Sequence, residues 1–168
     1  AAITLFDSFP KSVQENDFLL FELAYCLKKT GTFQRSMEIL TEVLRNGRTD
    51  PYLVLQELIE THYFLGNSEK VLTYVDVIRE FGRPNYIYDE LQKEIRSENS
   101  QKSLSFFNQV ITFDSMNLLA YVARYRTTVK LQDERKSSEA AIQVGKVALA
   151  ERNMTVSSQY FALAKSHQ

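Results

Sequence analysis

The stretch DFLLFELAYCLKKTGTFQRSMEILTEVLRNGRTD, residues 17–50, decides the fold. Leu20, Leu23, Ala24 and Leu27 recur at i, i+3, i+4 and i+7, the spacing of one helix face. Gly31 interrupts the pattern, and Phe33, Met37, Leu40, Val43 and Leu44 begin a second helical stripe. Two helices joined by a tight turn make a helical hairpin, and the Asp17 carboxylate is placed to cap the first of them. A lone hairpin leaves its apolar faces in water, so it requires neighbours of its own kind.

The rest of the chain supplies them. Pro51 suits a first helical position, and Leu55, Leu58, Ile59 and His62 repeat the first stripe. Gly66 makes the turn, and Val71, Leu72, Val75 and Ile78 form the next helix before Gly82. The punctuation is itself periodic. Gly31 to Gly66 and Gly47 to Gly82 are each 35 residues, Pro51 to Pro84 is 33, and Gly47-Arg48 returns as Gly82-Arg83. A period near 34 marks an array of helical hairpins. A third copy opens at Pro84 with a thinner stripe of Ile87, Leu91 and Ile95. It turns at SENS, where Asn99 is suited to a left-handed conformation, and continues through Leu104, Phe107, Val110 and Ile111. A fourth starts near Leu118 with Tyr121, Val122, Tyr125 and Val129. After a charged turn, QDERKSS, it continues through Ala140, Ala141, Val144, Val147 and Ala148. A last amphipathic run carries Val156, Tyr160, Leu163 and Ala164. At the other end Ala2, Ile3, Leu5, Phe6 and Phe9 read as the close of an upstream helix stopped by Pro10, with 11–16 as connector. No strand-like alternation occurs, so the expected class is all-α. The expected organisation is one domain, 1–168, with repeats at 17–50, 51–83, 84–117 and 118–151. Partial or capping helices are expected at 1–10 and 154–168, as in a piece of a longer protein.

Composition narrows the partners. The 168 residues carry 20 basic and 21 acidic side chains, a formal charge of −1. Binding a phosphate backbone relies on excess Lys and Arg, and without that excess nucleic acid is a poor partner. Cys26 is the only cysteine, which excludes an internal disulfide and reads as a small buried hydrophobe inside a helix. No apolar run approaches the roughly 20 residues of a membrane helix. The first residues do not resemble a signal peptide. The default expectation is an intracellular, cytoplasmic chain.

These features resemble the tetratricopeptide repeat family, over roughly residues 17–151. In the first unit Ala24 matches the small residue where first helices pack, Gly31 the turn, and Phe33, Ser36, Leu40 and Val43 the second helix. The second keeps Gly66, Val71, Val75 and Ile78, and the third Ser103, Phe107, Val110 and Ser115. In the fourth only the periodicity is kept, and no tryptophan occurs. The resemblance implies a right-handed superhelical array, an α-solenoid, that serves as a protein-interaction scaffold in complex assembly. It also implies that first helices line a concave groove. On that basis Phe18, Phe21, Tyr25, Lys28 and Lys29 face the groove from the first unit, and Leu53, Gln56, Glu60, Tyr63 and Phe64 from the second. Asn85, Tyr88, Gln92 and Arg96 follow from the third, and Leu119, Val122, Arg126, Val129 and Lys130 from the fourth. Such a groove, aromatic at one end and basic toward the other, suits a peptide or helix with apolar anchors and some acidic character. The competing assignment puts Phe18, Phe21 and Tyr63 in the core or against the 3–9 segment. Family members that grip chaperone C-terminal tails use Lys, Asn and Arg at positions held here by Phe21, Tyr25 and Glu57, so that partner is disfavoured.

Catalytic and metal-binding patterns are missing from the sequence. His62 falls on a packing stripe and reads as a satisfied imidazole, and His167 lies in the tail. The helix ELIETH (57–62) lacks the second histidine of a zinc-protease site, and no phosphate-binding glycine loop occurs. Asp89, Glu90 and Glu94 read as a solvated face, and Asp133 to Lys136 as a soluble turn. No enzyme, cofactor or metal is expected. The alternative to a protein scaffold is an RNA-binding array of the related pentatricopeptide kind, which the neutral charge disfavours.

Overall fold

The computed structural model describes residues 4, 8, 10, 11, 15–83 and 85–167. Among them, the long elements are all helices: α1 Asp17–Lys29, α2 Phe33–Asn46, α3 Pro51–Leu65, α4 Ser68–Arg79, α5 Tyr86–Ile95, α6 Ser100–Phe113, α7 Leu118–Lys130, α8 Glu134–Ala150 and α9 Met154–Ser166. The chain divides into two compact units, Ala1–Arg83 and Pro84–Gln168. The first holds hairpins α1–α2 and α3–α4; the second holds α5–α6, α7–α8 and then α9. The expected upstream helix (Ala2, Ile3, Leu5, Phe6, Phe9) and the opening residue Pro84 lie outside the described residues.

Caps explain where the helices start. Side chains of Asn16, Asp50, Asn85, Asn99, Asn117, Asp133 and Asn153 each accept a backbone N–H at the head of a helix. One such cap stabilises a helix by about 1 kcal/mol. The first helix departs from expectation here. Asn16 Oδ1 accepts from Phe18 N and Leu19 N at 3.0 and 3.2 Å, while Asp17 is buried and takes a bond from Asn46 Nδ2 at 2.9 Å. Asp17 therefore ties α1 to α2 instead of capping. The fourth hairpin also differs. Its charged run is no long turn: Asp133 Oδ1 accepts from Lys136 N at 3.0 Å, and the run forms the first turn of α8.

Most helix ends share a left-handed turn with changing residues, while α6 ends on the extended Asp114. Gly31 and Gly66 adopt φ of 81° and 78°, where a side chain would be strained. In the second unit Ser97, Gln132 and Arg152 take the same left-handed position without being glycine. Asn99 is also left-handed, as expected, but it caps α6 and does not end α5. The backbone bonds Thr32 N to Leu27 O and Asn153 N to Ala148 O, both 2.8 Å, close the turns in each unit.

Packing begins with the stripe quoted first. Leu20, Ala24 and Leu27 bury against Ile39, Leu40, Val43, Val54 and Leu58, with Phe21 and Leu23 half-buried at the edge. Each buried Leu or Ile contributes about 1.5–3 kcal/mol. Ala24 is small enough for close approach, and Ser36 Oγ donates to its carbonyl at 2.7 Å. In the second unit the equivalent Ser103 donates instead to Glu90 Oε1 at 2.6 Å. The acidic face of α5 is thus no solvated face. Glu90 and Glu94 are buried, Glu90 also takes Lys93 at 2.9 Å, and Glu94 takes Lys130 at 2.8 Å. Between α8 and α9 the Phe161 ring lies where a Cβ on Gly145 would stand, 2.8 Å away, so the missing side chain permits the contact. Cys26 is exposed, contrary to expectation, because it lies opposite the Leu20–Ala24 stripe on α1.

His62 is buried, as its stripe position predicts. Its Nδ1 accepts from Asn67 Nδ2 at 3.2 Å and its ring centroid lies 5.5 Å from that of Tyr74. Burial, with Lys70 nearby, holds the imidazole below its ordinary pKa of 6.5. The unfolded chain then binds more protons than the native one below that pH, so this contribution is complete above pH 6.5 and is lost as pH falls through it. Urea unfolding at pH 7.5 and 5.5 is expected to show that loss, and the His62→Gln variant to show a smaller one.

Candidate functional site

The surface expected to bind a partner is built from the first helices of the hairpins, and the first unit presents most of it. Helices α1 and α3 enter their hairpins in the same sense, so residues 35 apart hold matching positions. Phe18 matches Leu53, and Tyr25 matches Glu60. Phe18 is 63% exposed and Leu53 45%. Seven residues further along α1, on the same side, Tyr25 is 38% exposed. Its ring centroid lies 5.4 Å from Lys28 Nζ and 5.7 Å from Lys29 Nζ, which keeps both cations over an aromatic face.

Lys28 does not reach out as a basic groove residue should. Its side chain is 5% exposed, and its Nζ lies 2.5 Å from Glu57 and 2.6 Å from Glu60. The ammonium is shared between two carboxylates of α3, which ties the two first helices together. Burial lowers the Lys28 pKa, but the fields of Glu60 and Glu57 outweigh it, so the net direction is up. Glu57 also moves up, because its burial outweighs the pull of Lys28 and Glu60 adds repulsion. Lys29 acts on Glu57 as well, so two cations balance the two carboxylates at this end of the surface when both are ionised.

Other predicted groove residues are placed elsewhere. Tyr63 is completely buried and Tyr88 nearly so, which removes both from any open surface. For Tyr63 the reason lies in α3, which packs against α2, α4 and α1 in the same unit and buries Tyr52, Leu55, Ile59, His62 and Tyr63 together. Phe21 is half-buried on the core. Phe64 is half-buried, with its ring centroid 5.6 Å from that of Phe33 at the head of α2. In the second unit Gln92, Leu119 and Val122 are buried. Arg126 reaches the Tyr160 hydroxyl. Lys130 donates to the carbonyls of Glu94 and Ile95 and pairs with Glu94, holding the C-terminal end of α5. Arg96, at the end of α5, is exposed, as is Val129.

Of the expected set, Phe18, Tyr25, Lys29 and Leu53 therefore stay at least partly exposed on α1 and α3, while Lys28, Arg126 and Lys130 serve contacts inside the chain. One polar feature was not anticipated. A cavity of about 770 Å³ in the second unit is lined by residues of α6, α7 and α8 that include Arg124. Along α7 its wall is the stripe Tyr121, Arg124 and Thr128, continued by Leu131 just past the helix, at i, i+3, i+7 and i+10, legible in the sequence but on the side of α7 away from Arg126 and Lys130. Among the described residues no cluster of His, Cys, Asp and Glu is arranged to hold a metal ion, and no helix is long and apolar enough to cross a membrane.

No family model matches the chain, and no curated protein is similar to it. Among solved structures, the MamA RS-1 ArsTM double mutant is similar at 14% identity, over 91% of this chain and 94% of that one, with a TM-score of 0.44.

Proposed function

We propose that the chain is a non-enzymatic interaction scaffold whose α1–α3 face binds an apolar segment of a protein partner. The observation that carries this is Phe18, Leu53 and Tyr25 standing exposed at register-equivalent and same-side positions of two packed helices. Large apolar side chains on neighbouring elements are left in water at a cost, and aromatic anchors of this kind dominate interface energetics. The internal use of Lys28, Arg126 and Lys130 supports a protein partner over RNA, because it leaves fewer cations for phosphates. It also revises the partner's character. The segment is apolar where it meets Phe18 and Leu53, and because Lys28 and Lys29 already face Glu57 and Glu60 it needs no acidic residue there.

The test compares the full-length protein with its Phe18→Ala/Leu53→Ala variant in co-purification, followed by affinity measurement on the partner that is lost. Both positions are exposed, so stability is expected to change by no more than about 0.5 kcal/mol per substitution. A hot-spot anchor is expected to cost about 2 kcal/mol of binding, roughly thirtyfold in Kd. Identical partner lists and affinities for the two proteins would overturn the assignment of this face.

A further inference from the structure

We infer that the cleft between α6, α7 and α8 is a second binding site, one that takes a single carboxylate of a peptide through Arg124. It lies on the side of α7 away from Arg126 and Lys130, and it stands independently of the α1–α3 face. At about 770 Å³ it has the size of a ligand pocket. Its charges are unevenly matched. Lys136 is held by Asp133 at 2.7 Å and Glu139 by Arg135 at 3.2 Å. Arg124 has no carboxylate. Among the described residues no hydrogen bond or ion pair reaches its guanidinium, and its Nε is buried without an acceptor. What holds it is the Tyr121 ring, whose centroid lies 5.0 Å from the guanidinium carbon.

A buried donor left unmade costs free energy that a bound acceptor recovers. Burial lowers the Arg124 pKa from its ordinary value, yet a guanidinium keeps its proton in proteins, so the positive charge remains to be matched. A carboxylate matches it best, since its two oxygens fit the planar fork in a bidentate pair. The lining also argues for one negative charge only. With Arg124 and Lys136 against Asp133 and Glu139 it is neutral overall, and a multiply charged phosphate would meet the two acids. The carboxamides of Gln101, Asn108 and Gln143 border the same space. Each offers a donor and an acceptor, the pairing a peptide backbone requires.

The probe is the blocked tripeptide Ac-Gly-Glu-Gly-NH2, titrated into the isotopically labelled chain while the Arg124 Nε–H and the three carboxamide signals are followed by NMR. Ac-Gly-Gln-Gly-NH2 and inorganic phosphate are the comparison ligands. Saturable shifts at these signals with the Glu peptide, and at least tenfold weaker binding of the Gln peptide, are expected. Arg124→Gln should abolish the shifts, and Arg124→Lys should weaken them because the charge stays while the fork is lost. Equal response to both peptides overturns the proposal, as does tighter binding of phosphate than of the Glu peptide. Thermal unfolding supplies a second readout: removing an unmatched guanidinium is expected to leave the melting temperature of Arg124→Gln unchanged or raised. A clear fall would make Arg124 a structural residue and overturn its assignment to a ligand.

Discussion

Replacing Tyr63 by alanine is expected to destabilise the chain by about 3–5 kcal/mol, the range for deleting a large aromatic from a packed interior. Tyr63 has no exposed surface at all, so the substitution removes a full ring of contacts and leaves a cavity on α3. The cost is large against the 5–15 kcal/mol that holds a typical domain folded. Urea unfolding followed by circular dichroism measures it directly. The comparison with Phe18→Ala gives the experiment its force. The two side chains are both aromatic and both lie on first helices, yet Phe18 is 63% exposed. Tyr63→Ala is expected to shift the unfolding midpoint strongly while the folded fraction keeps partner affinity. Phe18→Ala is expected to do the reverse. A Tyr63→Ala variant with wild-type stability would contradict its burial.

Substituting Lys28 by methionine is expected to cost about 3 kcal/mol, at the lower end of the effect of breaking a buried ion pair. The variant keeps most of the apolar stem and removes the charge together with the Nζ donors that serve Glu57 and Glu60. Glu57 and Glu60 would then face each other without the cation that both now share. Glu60 is 27% exposed and can recruit water, which places the estimate at the lower end. Two further observations distinguish this mechanism from a packing defect. Adding Glu57→Gln and Glu60→Gln should restore most of the stability, since neutral amides need no counter-ion. The loss should also shrink as pH falls toward the carboxylate range. Glu57 already has its pKa raised, so in the variant it protonates early and the repulsion disappears. A loss of equal size at pH 7 and pH 4, with no rescue by the two glutamines, would rule out electrostatics as the cause.

These two positions also separate what was legible from what was not. Helix spacing placed Leu20, Ala24 and Leu27 in the core and Phe18 and Tyr25 outside it, because in α1 one face meets neighbours and the other meets solvent. The same offset carried to α3 failed at Tyr63. Register arithmetic assumes that every first helix has the same surroundings, and α3 has packed neighbours on more of its circumference than α1 has. The buried acids were missed for a related reason. Glu90 and Glu94 look solvated in a run of charges, and only the arrival of Ser103, Lys93 and Lys130 shows that they are satisfied inside. Cys26 errs in the other direction, an apolar neighbour in sequence but on the solvent side of its helix.

By itself the amino-acid sequence determined that this protein is a series of helical hairpins. Apolar spacing of 3.6 residues, Asn and Asp at helix heads and glycine at turns are local constraints, and each acts within a few residues of itself. Where the glycines are lacking, Ser97, Gln132 and Arg152 still take the left-handed turn, because packing of the flanking helices outweighs a local penalty of roughly 1–2 kcal/mol. Tertiary structure alone decided which surplus side chains remain exposed. It directed Lys28, Arg126 and Lys130 inward to Glu57 and Glu60, to Tyr160 and to Glu94. It left Phe18, Tyr25 and Leu53 outside and Arg124 unmatched in a cleft. Charge pairing and burial depend on what a second helix brings within a few ångströms, and that proximity is not written in the spacing of the first.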